Sequence, residues 1–173
     1  MSRFTRIWFA LLFFAGPILA DDAGGAALLF HGPGRFKAEA ARINGMRYGG
    51  TAQLYEGLPA QDILTEIERH GRDGKKVKAV EILGHGLPYG PFCTGEHIRE
   101  ASDRLTVDRL QAWANGLRKG GTEPRSFFAS GAEFVGRACY VGKGKLPKAL
   151  LDILPPDGKV LSDYEYYKNS AAS

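Results

Sequence analysis

The stretch VKAVEILGHG, residues 77–86, decides the fold. Residues 77–83 form an apolar run of strand length, and Gly84-His85-Gly86 stops it abruptly. Toward the N-terminus, GAALLF (residues 25–30) is a second unbroken apolar run, ending in the turn His31-Gly-Pro-Gly34. Between the two runs, residues 36–47 place Phe36, Ala40, Ala41 and Ile43 at helical spacing, with Gly45 near the expected end. Residues 51–55 read as a short strand. Pro59 then opens a helix with Ile63, Leu64 and Ile67 on one face, closing near Gly71 and Gly74.

Toward the C-terminus, a loop rich in Pro, Gly and polar residues leads to a helix N-capped by Thr106. Its buried face carries Val107, Leu110, Ala114 and Leu117, Trp113 borders it, and Gly120-Gly121 closes it. Residues 132–140 read as a fourth long strand. Pro147 opens a helix through Leu150, Leu151, Ile153 and Leu154, and residues 158–161 read as a last strand. Strand and helix alternate in units of about thirty residues, which predicts an α/β three-layer sandwich around a mostly parallel sheet. Right-handed crossovers bring the strand C-terminal ends to one edge, where ligands gather. That edge is expected to carry His31, His85 and Cys139.

Residues 1–20 read as a signal peptide. Arg3 and Arg6 precede an apolar stretch that ends at Ala20, before Asp21-Asp22. The stretch is short for a membrane span and Gly16-Pro17 interrupts it, so no stable anchor is expected after cleavage. Residues 21–161 then form one α/β domain, and residues 162–173 a polar tail in which Tyr164, Tyr166 and Tyr167 stand out. The expected location is exported, periplasmic or extracellular. Losing Arg3 and Arg6 takes the formal charge from +4 to +2, and the remaining Lys and Arg are scattered, which argues against a nucleic-acid partner.

Chemistry centres on His85 and Cys139. Flanking glycines leave room beside the His85 ring, and an imidazolium near the thiol favours thiolate, the attacking form. Backbone N–H groups of Gly86 and Cys139 are natural oxyanion donors. ILGHGLPYG followed by GRACYVG resembles the His-Gly and Ala-Cys blocks of the caspase-like (clan CD) cysteine peptidases. The likeness extends to bacterial CHAT domains and to the self-cleaving protease domains of large secreted toxins. It covers residues 77–154, about half the mature chain.

The resemblance implies a caspase-like sheet, His85 as general acid/base, Cys139 as nucleophile, Gly86 in the oxyanion hole, a peptide or protein substrate and no cofactor. It also implies a pocket for the residue before the scissile bond, with His31, Arg35 and Arg137 as candidates. Two features depart from the pattern. Glu133 and Arg137 interrupt the strand before the nucleophile, either to tune the thiol or because this is an exposed edge strand. The mature chain, at about 150 residues, is also short for the group.

Other readings compete. Two cysteines in an oxidising compartment invite a Cys93–Cys139 disulfide, which would make the chain a non-catalytic secreted binding domain of the same fold. His85, Cys93, His97 and Cys139 have the residue types of a zinc site but lack its tight paired spacing, so no metal is expected. His70, at a helix end, suits the negative end of the helix dipole. His31-Gly-Pro-Gly34 is similar to the oxyanion loop of α/β-hydrolases, but no Gly-x-Ser-x-Gly elbow accompanies it.

Overall fold

The apolar runs around residues 77–83 pair side by side in the computed structural model, which describes residues 25–87, 90–93, 103–138, 144–162 and 166–168. The elements are β1 (Ala26–His31), α1 (Arg35–Tyr48), β2 (Gln53–Glu56), α2 (Ala60–Arg72), β3 (Val77–Leu83), β4 (His85–Leu87) and β5 (Gly90–Phe92). They continue with α3 (Val107–Lys119), a 3-10 turn (Pro124–Phe127), β6 (Phe128–Arg137), α4 (Leu146–Leu151), β7 (Lys159–Ser162) and β8 (Tyr166–Lys168).

Six strands form one sheet in the order β2-β1-β3-β6-β7-β8; β4 and β5 make a separate hairpin. The β2-β1, β1-β3, β3-β6 and β6-β7 pairs are all parallel, and only β8 runs antiparallel, against β7. The α/β architecture with a mostly parallel sheet is therefore as the sequence predicts. Chain order reverses between β1 and β3: from β1 the chain goes outward to β2, then returns past β1 to β3. With right-handed crossovers that reversal puts α1 on one face and α2, α3 and α4 on the other. The apolar clusters agree. Leu28, Phe30, Val80, Ile82 and Phe134 pack with residues of α2, α3 and α4, whereas Leu29, Ala79 and Leu83 pack with Ala40 and Ile43 of α1.

Several boundaries differ from the sequence reading for local reasons. Helix α1 runs through Gly45 and stops only where Gly49 adopts the left-handed conformation, φ 59°, with its N–H bonded to the Asn44 carbonyl. The Asn44 side chain then holds Ala52 through both backbone groups, at 2.9 and 3.2 Å. Strand β6 begins at Phe128 rather than residue 132, because an irregularity around Gly131 (φ 67°) carries the chain through a polar Ser-Gly pair without leaving the sheet. Residues 166–168, read as tail, add an edge strand. Strand β6 is interior, flanked by β3 and β7, so the edge-strand explanation for Glu133 and Arg137 is corrected. Residues 1–20 lie outside the described residues; no described helix is long and apolar enough to cross a membrane.

Candidate active site

The reversal of strand order falls between β1 and β3, and the C-terminal ends of strands at such a reversal are where open α/β sheets bind ligands, here called the crevice. Hydrogen bonding continues past the strands there. The Gly32 N–H donates to the Leu83 carbonyl at 2.9 Å, and the Gly57 N–H to the His31 carbonyl at 2.9 Å. On the other side of β3, Leu83 pairs with Arg137, and the Gly84 N–H donates to the Arg137 carbonyl at 3.5 Å. The two sequence blocks, Gly84-His85-Gly86 and the residues leading to Cys139, thus leave the sheet from adjacent parallel strands. Ala138 is described and buried; Cys139 lies outside the described residues.

His85 is the first residue of β4, and the loop expected after it is a hairpin in which His85 pairs with Phe92 and Gly86 with Pro91. Three-residue strands carry too little periodicity to be read from sequence, and the Pro and Gly residues suggested only a loop. Gly90 fixes the seat of this hairpin. At φ 143° it lies so close to the chain before α3 that a Cβ would come within 2.1 Å of the Leu105 carbonyl oxygen. The Leu105 N–H in turn donates to the Pro91 carbonyl at 2.9 Å. Thr106 caps α3 as expected, its hydroxyl accepting from the Arg109 N–H.

The His85 ring meets the ring of Phe36 edge-on, with centroids 5.0 Å apart and planes at 90°. Phe36 comes from the first turn of α1, and the guanidinium of exposed Arg35 lies over its face at 4.9 Å. Gly32 admits this arrangement, since a Cβ there would touch the Phe36 ring at 2.9 Å. Periodicity marked Phe36 only as part of a buried helix face; its contact with His85 was not legible. Of the other pocket candidates, His31 is buried with Nδ1 bonded to the Gly32 carbonyl at 2.8 Å. Arg137 donates from Nε to the carboxylate of Glu81.

Glu81 is the unexpected residue of the site. It sits fully buried on β3, four positions before His85, where the sequence shows only an acidic residue in an apolar strand. Its Oε1 accepts from Arg137 and its Oε2 accepts from the Tyr48 hydroxyl at 2.7 Å, with Arg47 Nη1 3.8 Å from Oε2. Both oxygens act as acceptors, as an ionised carboxylate does. Burial, reinforced by the Glu81 charge, pushes the Tyr48 phenol well above its ordinary value. Arg47 also bonds Glu133, which lies 3.7 Å from Lys159. Glu133 and Arg137, the two apparent interruptions of β6, are thus members of one charge network.

Cys93 directly follows the hairpin, against the ends of β1 and β3 at Gly32 and Leu83, and its side chain belongs to the main apolar core. It is a free thiol in the structure, its Sγ 3.9 Å from the Leu83 carbonyl, and burial pushes its pKa up to about 12. Its pairing with Cys139 and the set His85, Cys93, His97 and Cys139 both include residues outside those described. Among the described residues no group of three His, Cys, Asp or Glu side chains is placed to hold a metal ion. His70 lies in the last turn of α2, as expected, but as a buried imidazole rather than an exposed cation. Its Nε2 meets Arg69 Nη2 at 2.9 Å and the Tyr55 hydroxyl at 3.1 Å. Desolvation, then the Arg69 charge, lowers its pKa.

No protein-family model matches the chain, and no curated protein is significantly similar to it.

Proposed function

We propose that this chain is an exported caspase-like cysteine peptidase, or a relative, that hydrolyses peptide bonds through a His85/Cys139 dyad. The observation that supports it most is the pairing of Leu83 with Arg137, extended by the bond from the Gly84 N–H to the Arg137 carbonyl. It brings the His-Gly block beside the strand end that leads toward Cys139, at the sheet edge where α/β folds bind ligands.

In this reading the His85 imidazole takes the Cys139 thiol proton and the thiolate adds to a substrate carbonyl. Backbone N–H groups, Gly86 among them, bind the oxyanion. The amine departs with the proton held by the imidazolium, leaving a thioester. A water activated by His85 then releases the acid and restores the thiol. Exposed Arg35, stacked on Phe36 beside His85, is the pocket candidate most open to a substrate side chain.

Labelling by a peptidyl electrophile tests the dyad. The expected adduct is on Cys139, formed at least about 100-fold faster in the wild type than in His85→Ala. Equal rates in the two proteins, or absence of labelling after reduction, would overturn the reading.

A further inference from the structure

The charge network behind the crevice is costly and is placed with respect to the site rather than to the core. Taking a carboxylate out of water carries a large desolvation cost before its partners return any of it, and an apolar residue would fill the same volume without that cost. Glu81 nonetheless lies on the central strand, and its partners come from the elements that shape the site. Arg137 ends β6, two residues before Cys139, and its carbonyl accepts from Gly84. Tyr48 and Arg47 end α1, whose first turn supplies Arg35 and Phe36, the latter against His85. Glu81 is itself four residues before His85. One buried carboxylate on the strand that leads to the histidine therefore holds the strand leading to the cysteine and the helix whose first turn meets the imidazole.

We propose that Glu81 is a positioning residue for the dyad, acting through Arg137 and α1 to hold the ends of β3 and β6 in register. The inference rests on the dyad reading above. Without the carboxylate the Arg137 guanidinium loses its anchor on β3, the end of β6 loosens at Gly84, and imidazole and thiol spend less time together. Thiolate at mildly acidic pH is then lost. The charged and titratable groups around Glu81 include Arg47 and Tyr48 from α1 and Arg137 from β6, with Glu133, Lys159 and Glu39 beyond them.

The test is the rate of iodoacetamide alkylation of Cys139 between pH 5 and pH 9, with each thiol quantified by peptide mass. Buried Cys93 is an internal control, because it stays unmodified only while the core is intact. In Glu81→Gln, with Cys93 still protected, Cys139 reactivity at pH 6 is expected to fall at least tenfold and its profile to move toward that of an ordinary thiol. The milder Tyr48→Phe should move it the same way by less, and supplies the answer if Glu81→Gln exposes Cys93. Glu81→Gln added to Arg137→Met should change the rate no further than Arg137→Met alone. A wild-type profile in both Glu81→Gln and Tyr48→Phe overturns the positioning role. A wild-type profile in His85→Ala overturns the dyad instead, so the two failures are distinct.

Discussion

The two faces of the sheet bury themselves by different means. Toward α2, α3 and α4 the interior is apolar: Phe30, Ile82, Phe134, Leu110 and Leu150 interlock, and His70 is buried at its margin. Toward α1 the apolar cluster is small, and strand alternation puts buried His31 and Glu81 there, with Asn44 from the helix. One helix cannot cover a face that three helices cover on the other side. Where it runs out, over β3, β6 and β7, charged side chains from the strands and from the end of α1 close the gap. The thick face carries stability and the thin face carries geometry, because directional bonds fix register more sharply than apolar packing does.

The largest effect is expected on the thick face. Phe134→Ala, from a fully buried position on the interior strand β6, should cost about 3–5 kcal/mol in denaturant unfolding. A cost near 1 kcal/mol would mean that this core is loosely packed and break the contrast. On the thin face, Arg137→Met strands Glu81 against its remaining partners and should cost about 3 kcal/mol. Tyr48→Phe, Glu81→Met and Arg137→Met together remove the stranded charge and the unsatisfied hydroxyl. The triple variant should return to within about 1 kcal/mol of wild type or exceed it. If the triple variant is less stable than Arg137→Met alone, the network is a stability device and the division between the faces fails.

Much of the thick face was legible because it follows periodicity. Strand β3 lies at residues 77–83, α3 starts at its Thr106 cap, and Ile63, Leu64 and Ile67 face the core as their spacing predicts. The thin face was not, because its order comes from contacts between residues far apart in sequence. Nothing near Glu81 announces Arg137, 56 positions on, or Tyr48, 33 positions back. Arg137 on its own suggested either a thiol neighbour or an edge strand. The site divides in the same way: the strand ends at His31 and His85 could be read, whereas the hairpin that carries His85 and the ring of Phe36 against it could not. Cys93 shows the limit of reading by compartment, since its position in the core depends on the return leg of that hairpin.

The hairpin joins the faces, and Gly90→Ala probes the joint. A methyl group cannot enter the space held by the Leu105 carbonyl, and φ 143° is strained for alanine, so β4–β5 must shift away from α3. The expected cost is more than about 1 kcal/mol, with faster alkylation of Cys93 as its core cover opens. Unchanged protection of Cys93 would show that the hairpin is seated independently of the core.

The smallest effect is a pH slope from His70, buried on the thick face. Arg69 Nη2 can only donate, so His70 Nε2 accepts and Nδ1 carries the proton, buried without a hydrogen-bond partner. Protonating this ring would bury a cation beside a guanidinium, and its folded pKa is accordingly lowered from 6.5. The unfolded chain then binds the proton more readily than the folded one. Stability from His70 is therefore fully present above about pH 6.5 and lost as pH falls from there toward the folded pKa, with a slope of at most about 1.4 kcal/mol per pH unit. His70→Phe keeps the volume and removes the slope, while the Tyr55 hydroxyl retains Gln53 and Arg69. Urea unfolding at pH 7.5 and pH 5.5 measures the difference. If the variant loses as much stability between those pH values as the wild type, His70 does not titrate on unfolding. The acid sensitivity then belongs to the charged groups of the thin face and not to His70.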